Sequence, residues 1–119
     1  MQRKEKGMPL SDYYKIKYAI LKTLFENKER GRKTPHEMIS SERFNINISY
    51  WIDILGDLLN DGLISGLIIR ECKDTRAVIG VDETEITSKG IDYLHDNSKM
   101  KQAYRLFKDV KDIFPLIIG

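Results

Sequence analysis

The sequence predicts a mainly α-helical domain with one small β-hairpin. Segment 49–60 repeats its apolar residues at the period of an α-helix, and Gly62 follows as a typical C-terminal stop. Two runs rich in β-branched residues come next, over 63–72 and 77–83, and the polar residues 73–76 between them are typical of a hairpin turn. Helical patterns on both sides of this hairpin complete the prediction.

The first helix is predicted over residues 12–28, with Ser11 as its N-cap. At about 100° per residue its apolar side chains fall on one broad arc, while Lys15, Lys22 and Glu26 fall opposite. We expect the apolar arc to face the core. It comprises Tyr13, Ile16, Tyr18, Ile20, Leu21, Leu24 and Phe25.

A short second helix is predicted over 35–43 from the tetrapeptide TPHE. Thr34 can cap this helix, Pro35 suits its first position, and Glu37 can complete a capping box. We expect three apolar side chains to point inward from it: Met38, Ile39 and Phe44.

The third helix is predicted over 49–60, with Asn47 or Ser49 as its cap. One arc is apolar and is expected to be buried: Trp51, Ile52, Ile54, Leu55, Leu58 and Leu59. The opposite arc is polar and is expected to face solvent: Ser49, Tyr50, Asp53, Gly56, Asp57 and Asn60. Gly66 interrupts the strand that follows, which predicts a kink or bulge there.

Two more helices are predicted after the hairpin. Thr87 starts one of them, over 88–96, and the second runs over about 99–113, ahead of Pro115. The polar pair Asn97 and Ser98 separates the two.

This order of elements is that of a winged helix with extra C-terminal helices. The hairpin takes the position of the wing, and the third helix takes that of the recognition helix. We predict a basic N-terminal arm over residues 1–10 and a single domain over 11–119, whose C-terminal helices span about 87–113.

Composition and charge are those of an ordinary globular chain. Of the 119 residues, 41% are hydrophobic and 32% are charged, and the net charge of +2 leaves DNA binding open without implying it. Cys72 is the only cysteine, and the chain has neither the apolar stretch of a signal peptide nor a run of about 20 apolar residues. We expect a cytoplasmic protein that does not bind membranes.

Two segments resemble a known family. The stretch YWIDILGDLLNDGLISGL, residues 50–67, has the winged-helix cadence, and EITSKGIDYLHDNSKM, residues 85–100, matches a T-x-x-G-x-x-Y-L pattern. The matching positions are Thr87, Gly90, Tyr93 and Leu94. With YAILKTLFEN near the start and KDVKDIFP near the end, the chain resembles the YjcQ family over residues 13–115. The resemblance implies a small winged-helix protein of bacterial or prophage origin, and it carries over no catalytic or binding residues.

The exposed face of the third helix is unfavourable for reading DNA. Winged-helix regulators need cationic or amide side chains there. This face instead offers Asp53 and Asp57, with Asp61 just past its end. Three interpretations stay open: a solvated outer face, a protein-binding face, and direct reading of the major groove.

Basic residues elsewhere could contact DNA phosphates. They lie in the N-terminal arm, in the loop after the first helix and in the wing, where an arginine could enter a minor groove; each set could equally be ordinary solvated charge. The candidate DNA-binding residues, including one tyrosine of the third helix, are Arg3, Lys4, Lys28, Arg30, Arg32, Lys33, Tyr50, Arg70, Lys73 and Arg76.

The last predicted helix has an unusually wide apolar face. Either the extra width packs within the domain, or it forms a homodimer or partner contact. The residues of this candidate interaction face are Leu106, Phe107, Val110, Ile113 and Phe114.

No pattern of catalytic or metal-ligating residues is present. His36, His95 and Cys72 lack metal-ligand spacing, and no glycine-rich phosphate loop exists. We expect no enzymatic activity and no cofactor. The leading functional hypothesis is a DNA-associated regulator that contacts phosphates through its wing and basic loop. The alternative is a winged-helix protein-interaction module that does not bind DNA.

Overall fold

The computed structural model describes residues 9–96. They form a mainly helical unit with a small antiparallel hairpin, an arrangement compatible with a winged helix. The helices are α1 Pro9–Glu29, α2 Ser41–Phe44, α3 Ile48–Asn60 and α4 Ser88–Asp96, with 3-10 turns at His36–Ile39 and Val81–Glu83. The strands are β1 Ile64–Ser65, β2 Ile68–Cys72, β3 Thr75–Ile79 and β4 Glu85–Ile86. Within the described range, no helix is long and apolar enough to cross a membrane.

Helix α1 begins earlier than predicted. It starts at Pro9, so Ser11 lies inside the helix and the prediction of an N-cap there is wrong. Proline is favoured in the first turn because the N–H it lacks would have no helical partner. The predicted arm over residues 1–10 therefore overlaps the helix by two residues.

Two lysines of α1 are buried, and for Lys15 this contradicts the prediction. Lys15 was expected on the solvent side but is only 8% exposed, and Lys17 is 4% exposed. The Lys17 ammonium lies 5.0 to 5.5 Å from the ring centroids of Tyr13, Tyr14 and Tyr93. Cation–π attraction and the apolar stem of the side chain allow this lysine to lie among aromatic rings.

The predicted second helix over 35–43 is also wrong. The chain forms a 3-10 turn and then the four-residue helix α2, which Ser40 caps by accepting a hydrogen bond from the Arg43 N–H at 3.2 Å. The Thr34 hydroxyl accepts instead from the Asn27 amide at 2.9 Å, so no capping box forms. Ile39 and Phe44 are buried as expected, and Met38 is half-buried.

Helix α3 confirms the predicted apolar arc, whereas Tyr50 and Gly56 of the polar arc are half-buried. The Asn47 side chain accepts from the Tyr50 N–H at 2.8 Å and caps the helix. The predicted apolar arc is buried, apart from the half-buried Leu59. The Trp51 indole donates to the Ile39 carbonyl at 2.8 Å, which fixes α3 against the 3-10 turn.

The segment after α3 forms two short strands because Gly66 bends the chain. Gly66 has φ +103°, and a Cβ there would lie 2.0 Å from the Glu83 carbonyl oxygen. Before this bend, β1 pairs antiparallel with β4, a pairing that was not predicted. After it, β2 and β3 form a hairpin closed by Lys73 and Asp74. The return strand is thus residues 75–79, and 81–83 form a 3-10 turn instead of continuing the predicted strand.

Helix α4 starts where predicted. The Thr87 hydroxyl donates to the Gly62 carbonyl at 2.6 Å and accepts from the Gly90 N–H at 3.0 Å, joining the ends of α3 and α4. Gly90 lies directly against the Leu63 carbonyl, where no Cβ would fit. The last predicted helix, over about 99–113, lies outside the described residues.

A candidate interaction groove between helix α3 and the hairpin

The hairpin presents one of its faces to α3. Residues directly opposite in an antiparallel pair share a face, as do residues two apart on one strand. Ile69 pairs with Val78, and Glu71 pairs with Arg76. These four side chains therefore share the face that contacts α3, as the bond between Arg76 and Asp53 shows.

A groove of about 640 Å³ lies between the polar arc of α3 and this face of the hairpin. We call it the α3–hairpin groove. Three carboxylates and one guanidinium lie among its lining residues, together with apolar side chains from both walls. The lining consists of Ile52, Asp53, Gly56, Asp57, Leu59, Asn60, Ile69, Glu71 and Arg76.

The guanidinium of Arg76 is bound to α3. Its Nη1 donates to Asp53 Oδ1 at 2.9 Å, and its Nη2 lies 3.2 Å from both the carbonyl oxygen and the hydroxyl of Ser49. The side chain is only 28% exposed. Because these bonds use both terminal nitrogens, Arg76 braces the hairpin against the helix and compensates one of the groove's carboxylates.

The two other carboxylates have no such cationic partner among the described residues. Asp57 accepts a hydrogen bond from the Tyr13 hydroxyl at 2.5 Å, which brings the start of α1 to the groove. Burial, followed by this bond to Asp57, raises the pKa of Tyr13 well above its usual range, so the phenol stays protonated and donating. Glu71 is exposed on the opposite wall. The groove is therefore acidic.

The candidate DNA-contacting tyrosine on α3 is not freely available. Tyr50 is half-buried and packs against the core. Burial, and secondarily the negative charge of Asp12, raises the pKa of its hydroxyl.

Much of the predicted basic loop is paired within the fold. Lys33 Nζ lies 2.8 and 3.0 Å from the two carboxylate oxygens of Glu83, an ion pair that raises the lysine pKa. Lys28 Nζ lies 3.9 Å from Glu85 Oε1. Arg32 Nε donates to the Asn27 side-chain oxygen at 2.8 Å. The contacts of Lys33 and Lys28 join the loop to the segment before α4, and that of Arg32 joins it to α1.

Three candidate cations extend into solvent and form neither an ion pair nor a side-chain hydrogen bond among the described residues. Arg30 lies in the basic loop, Arg70 lies on the hairpin face opposite the groove, and Lys73 lies in the hairpin turn. Ile68 and Ile79 pair across that same outer face and are 56% and 44% exposed. The basic loop and the hairpin line different cavities.

The remaining predicted site residues lie outside the described range. They are Arg3 and Lys4 of the arm and the apolar set of the last helix, Leu106, Phe107, Val110, Ile113 and Phe114. The homodimer or partner contact through that helix stays a prediction.

Two functional features were missed from the sequence. Glu71 joins the carboxylates of α3 only because β2 and β3 pair in this register; strand alternation, which places it on the side of Ile69, was the available signal. The buried polar side chains Asn27, Thr34 and Thr84 had no such signal in the helical and strand patterns.

His36 contacts Asp82 within the fold. Its backbone N–H donates to Asp82 Oδ1 at 2.7 Å, and its Nδ1 lies 3.0 Å from the same oxygen. These two bonds, the backbone bond first, hold the pKa of Asp82 below its usual value. Across the part of the chain that the structure describes, no group of three or more potential metal ligands is present.

Comparison with known proteins supports the family resemblance. The family model described as YjcQ protein matches residues 18–113. The uncharacterized protein YjcQ of Bacillus subtilis (strain 168) is 30% identical over 98 residues, which cover 82% of this chain and 93% of that protein. No solved structure matches the chain significantly. The family match and the length of the shared alignment together place this chain in the YjcQ family.

Proposed function

We propose that this chain is a winged-helix protein-interaction module. In this assignment α2 and α3 form the helix-turn-helix, with α3 in the position of the recognition helix and the hairpin of β2 and β3 as the wing. The α3–hairpin groove binds a segment of a partner protein that carries arginine or lysine beside apolar side chains.

The charge of the groove carries this proposal. A DNA-binding winged helix places this helix and the wing against phosphates, which require cations. Here three carboxylates meet one guanidinium, and that guanidinium is already bound to Asp53. A polyanion would be repelled from this groove, whereas a cationic segment would be attracted.

The walls of the groove also suit a peptide. Leu59 of α3 and Ile69 of β2 are half-buried and contribute apolar surface to the lining. Apolar side chains of a partner would lose contact with water there, while its cations would lie close to Asp57 and Glu71.

The direct test is a titration of the protein with a short amphipathic peptide of arginine and leucine, followed by amide NMR shifts. We expect saturable shifts at Gly56 and Ile69 in the groove. A peptide with glutamate in place of arginine should leave them unchanged. Equal shifts with both peptides, or shifts confined to other surfaces, would contradict the proposal.

Matched double variants distinguish the effect of the groove's charges on peptide binding from the effect of the protein's net charge. Asp57→Asn with Glu71→Gln should weaken peptide binding roughly 3- to 10-fold, because each exposed ion pair contributes up to about 1 kcal/mol. The control, Asp74→Asn with Asp92→Asn, makes the same change of charge at exposed positions that do not line the groove. Equal weakening in both variants would show that only net charge matters.

A second candidate is the DNA-associated regulator of bacterial or prophage origin. The observation in its favour is that Arg30, Arg70 and Lys73 are exposed and form no ion pair within the described residues. Binding to mixed-sequence duplex DNA across a salt series tests it. Three phosphate contacts would give a log–log slope of about −3, since each contributes about −0.9. No binding at low salt would exclude it.

A further inference from the structure

A second cavity, of about 280 Å³, lies at the C-terminal end of α1 between the basic loop and the segment before α4. We call it the α1 cleft. It shares no lining residue with the α3–hairpin groove. Its lining is Leu24, Lys28, Gly31, Arg32, Lys33, Thr34, Thr84, Glu85 and Ile86.

The charge of this cleft is opposite to that of the groove. Lys28, Arg32 and Lys33 contribute three cations, and Glu85 contributes one carboxylate. Lys33 is held by both oxygens of Glu83, and the contact of Lys28 with Glu85 is long, at 3.9 Å between side chains that are 50% and 67% exposed. Arg32 has no ion pair among the described residues, so its charge stays uncompensated.

Arg32 is also held in place. Its Nε donates at 2.8 Å to the side-chain oxygen of Asn27, which is 2% exposed, and the Asn27 amide in turn donates to Thr34. The bond through Nε leaves both terminal nitrogens of the guanidinium free of described partners. A guanidinium fixed in this way suits an oxyanion, because its two terminal N–H groups match two oxygens.

Glu85 is the one carboxylate in the lining of the cleft, and two further features near Arg32 bear on anion binding. The carbonyls of Glu26, Asn27 and Lys28 near the end of α1 accept from the backbone N–H groups of Arg30, Gly31 and Arg32 at 3.0 to 3.2 Å, which reduces their repulsion of an anion. Thr84 lines the cleft, is 3% exposed, and its hydroxyl has no hydrogen-bond partner in the described part of the chain. One polar group beside the cleft is therefore left without a bond inside the fold.

We propose that the α1 cleft binds the phosphate group of a small molecule, with Arg32 as its main ligand and Lys28 as the second. This site is independent of the partner groove proposed above. The cavity lies at the lower end of the size range of small-ligand sites, with room for a phosphate and a small attached group. A DNA backbone fits less well, since a phosphate next to the bound one would meet Glu85 of the lining and Glu83, which binds Lys33.

The test is an NMR titration with inorganic phosphate at constant ionic strength, repeated with glycerol phosphate. We expect saturable shifts at Gly31, Thr34 and Thr84. Tighter binding of glycerol phosphate would identify a phosphate ester as the natural ligand, and equal or tighter binding of phosphate would identify the free ion. Duplex DNA is the third probe. The absence of saturable shifts with both small ligands, or shifts at these residues with DNA alone, would overturn the proposal.

Two loop arginines offer a matched pair of variants. Arg32→Gln removes the guanidinium that lines the cleft, whereas Arg30→Gln makes the same change of charge in the same loop outside it. We expect the first to weaken phosphate binding about fivefold or more and the second to change it less than about twofold. Equal losses would show that only the general positive charge of the loop attracts the anion.

Glu85→Gln should change phosphate binding in the opposite direction. Because Arg32 is kept, this result does not depend on whether the loop stays folded without it. It removes the one carboxylate of the lining and releases Lys28. Phosphate should bind about threefold tighter or more, because the repulsion is gone and a cation is free. Unchanged or weaker binding in this variant would overturn the proposal.

Discussion

The α3–hairpin groove and the α1 cleft carry opposite charge, although each is lined by four charged side chains. The groove has three carboxylates and one guanidinium; the cleft has three cations and one carboxylate. In the groove the minority charge, Arg76, is tightly bound, whereas in the cleft the minority charge, Glu85, is held only at 3.9 Å. The net charge of +2 describes neither surface. The charge of a whole chain therefore predicts little about its partners when folding separates the signs.

The two surfaces depend on one junction. Gly66 joins β1 to the hairpin that forms one wall of the groove, and it packs against Glu83 and Thr84, which precede β4 at the cleft. A change at this glycine should disturb both surfaces together, whereas changes at their charged residues should disturb them separately.

The largest effect is expected from Gly66→Ala. The added Cβ would lie 2.0 Å from the Glu83 carbonyl oxygen on a residue with φ +103°. We expect the free energy of unfolding to fall by about 2–4 kcal/mol, since strain and a backbone clash add. Urea denaturation measures it.

Gly31→Ala is the control for that variant. It has φ +69° but no atom within 4 Å of an added Cβ, so only the backbone strain, about 1–2 kcal/mol, is expected. Equal losses at the two glycines would mean that the close packing around Gly66 contributes nothing.

A smaller effect is expected from Arg76→Ala, which sharpens the contrast between the surfaces. The variant loses the bonds to Asp53 and Ser49, at a cost of about 1 kcal/mol for a partly exposed pair. The groove becomes more acidic, so the arginine–leucine peptide should bind about twofold to fivefold tighter. Peptide binding and urea denaturation measure the two effects. Weaker binding of duplex DNA in this variant would favour the regulator hypothesis instead.

Arg43→Met should cost little stability, although Arg43 lies in α2 and is partly buried. Two of its guanidinium nitrogens are buried without a hydrogen-bond partner in the described part of the chain, and burial lowers its pKa. Removing an unpaired, partly buried charge at nearly constant volume should change stability by less than about 1 kcal/mol, in either direction. A loss above about 2 kcal/mol in thermal or urea unfolding would reveal an essential partner.

The smallest effect concerns Asp82, which accepts hydrogen bonds from His36. Its pKa in the folded chain lies below 3.8, so its contribution to stability is present above that pH and is lost as pH falls through the folded value. NMR titration of the carboxyl carbon should show protonation below pH 3.8. In His36→Gln the pKa of Asp82 should rise only in part. The hydrogen bond from the His36 backbone N–H lowers this pKa most, and it remains in the variant. A full return to 3.8 would assign the shift to the imidazole.

Local patterns predicted much of this fold. The buried arc of α3, the Asn47 cap, the bend at Gly66 and the start of α4 after Thr87 all followed from residue type and spacing. One error arose because a second residue competed for the same hydrogen-bonding group. Thr34 was a good helix cap by type, but the buried Asn27 amide bound its hydroxyl instead.

The surfaces were less predictable than the elements. The acidic arc of α3 followed from the helical period. The cluster of basic residues over 28–33 followed directly from the sequence. Their partners were not visible. Arg76 and Asp53 are 23 residues apart, and Lys33 and Glu83 are 50 residues apart.

The sequence by itself determined α3, α4, the presence of α1 and the hairpin, because periodicity, caps and glycines act over a few residues. Its motifs also identified the YjcQ family. Only the tertiary structure decided which charges are neutralised and which remain for a ligand. Arg76 is bound to Asp53 of α3, and Lys33 is bound to Glu83, which precedes β4. Arg32 lines the α1 cleft and is held there by Asn27. Ion pairing depends on a few ångströms between side chains distant in sequence, and packing of the core sets those distances.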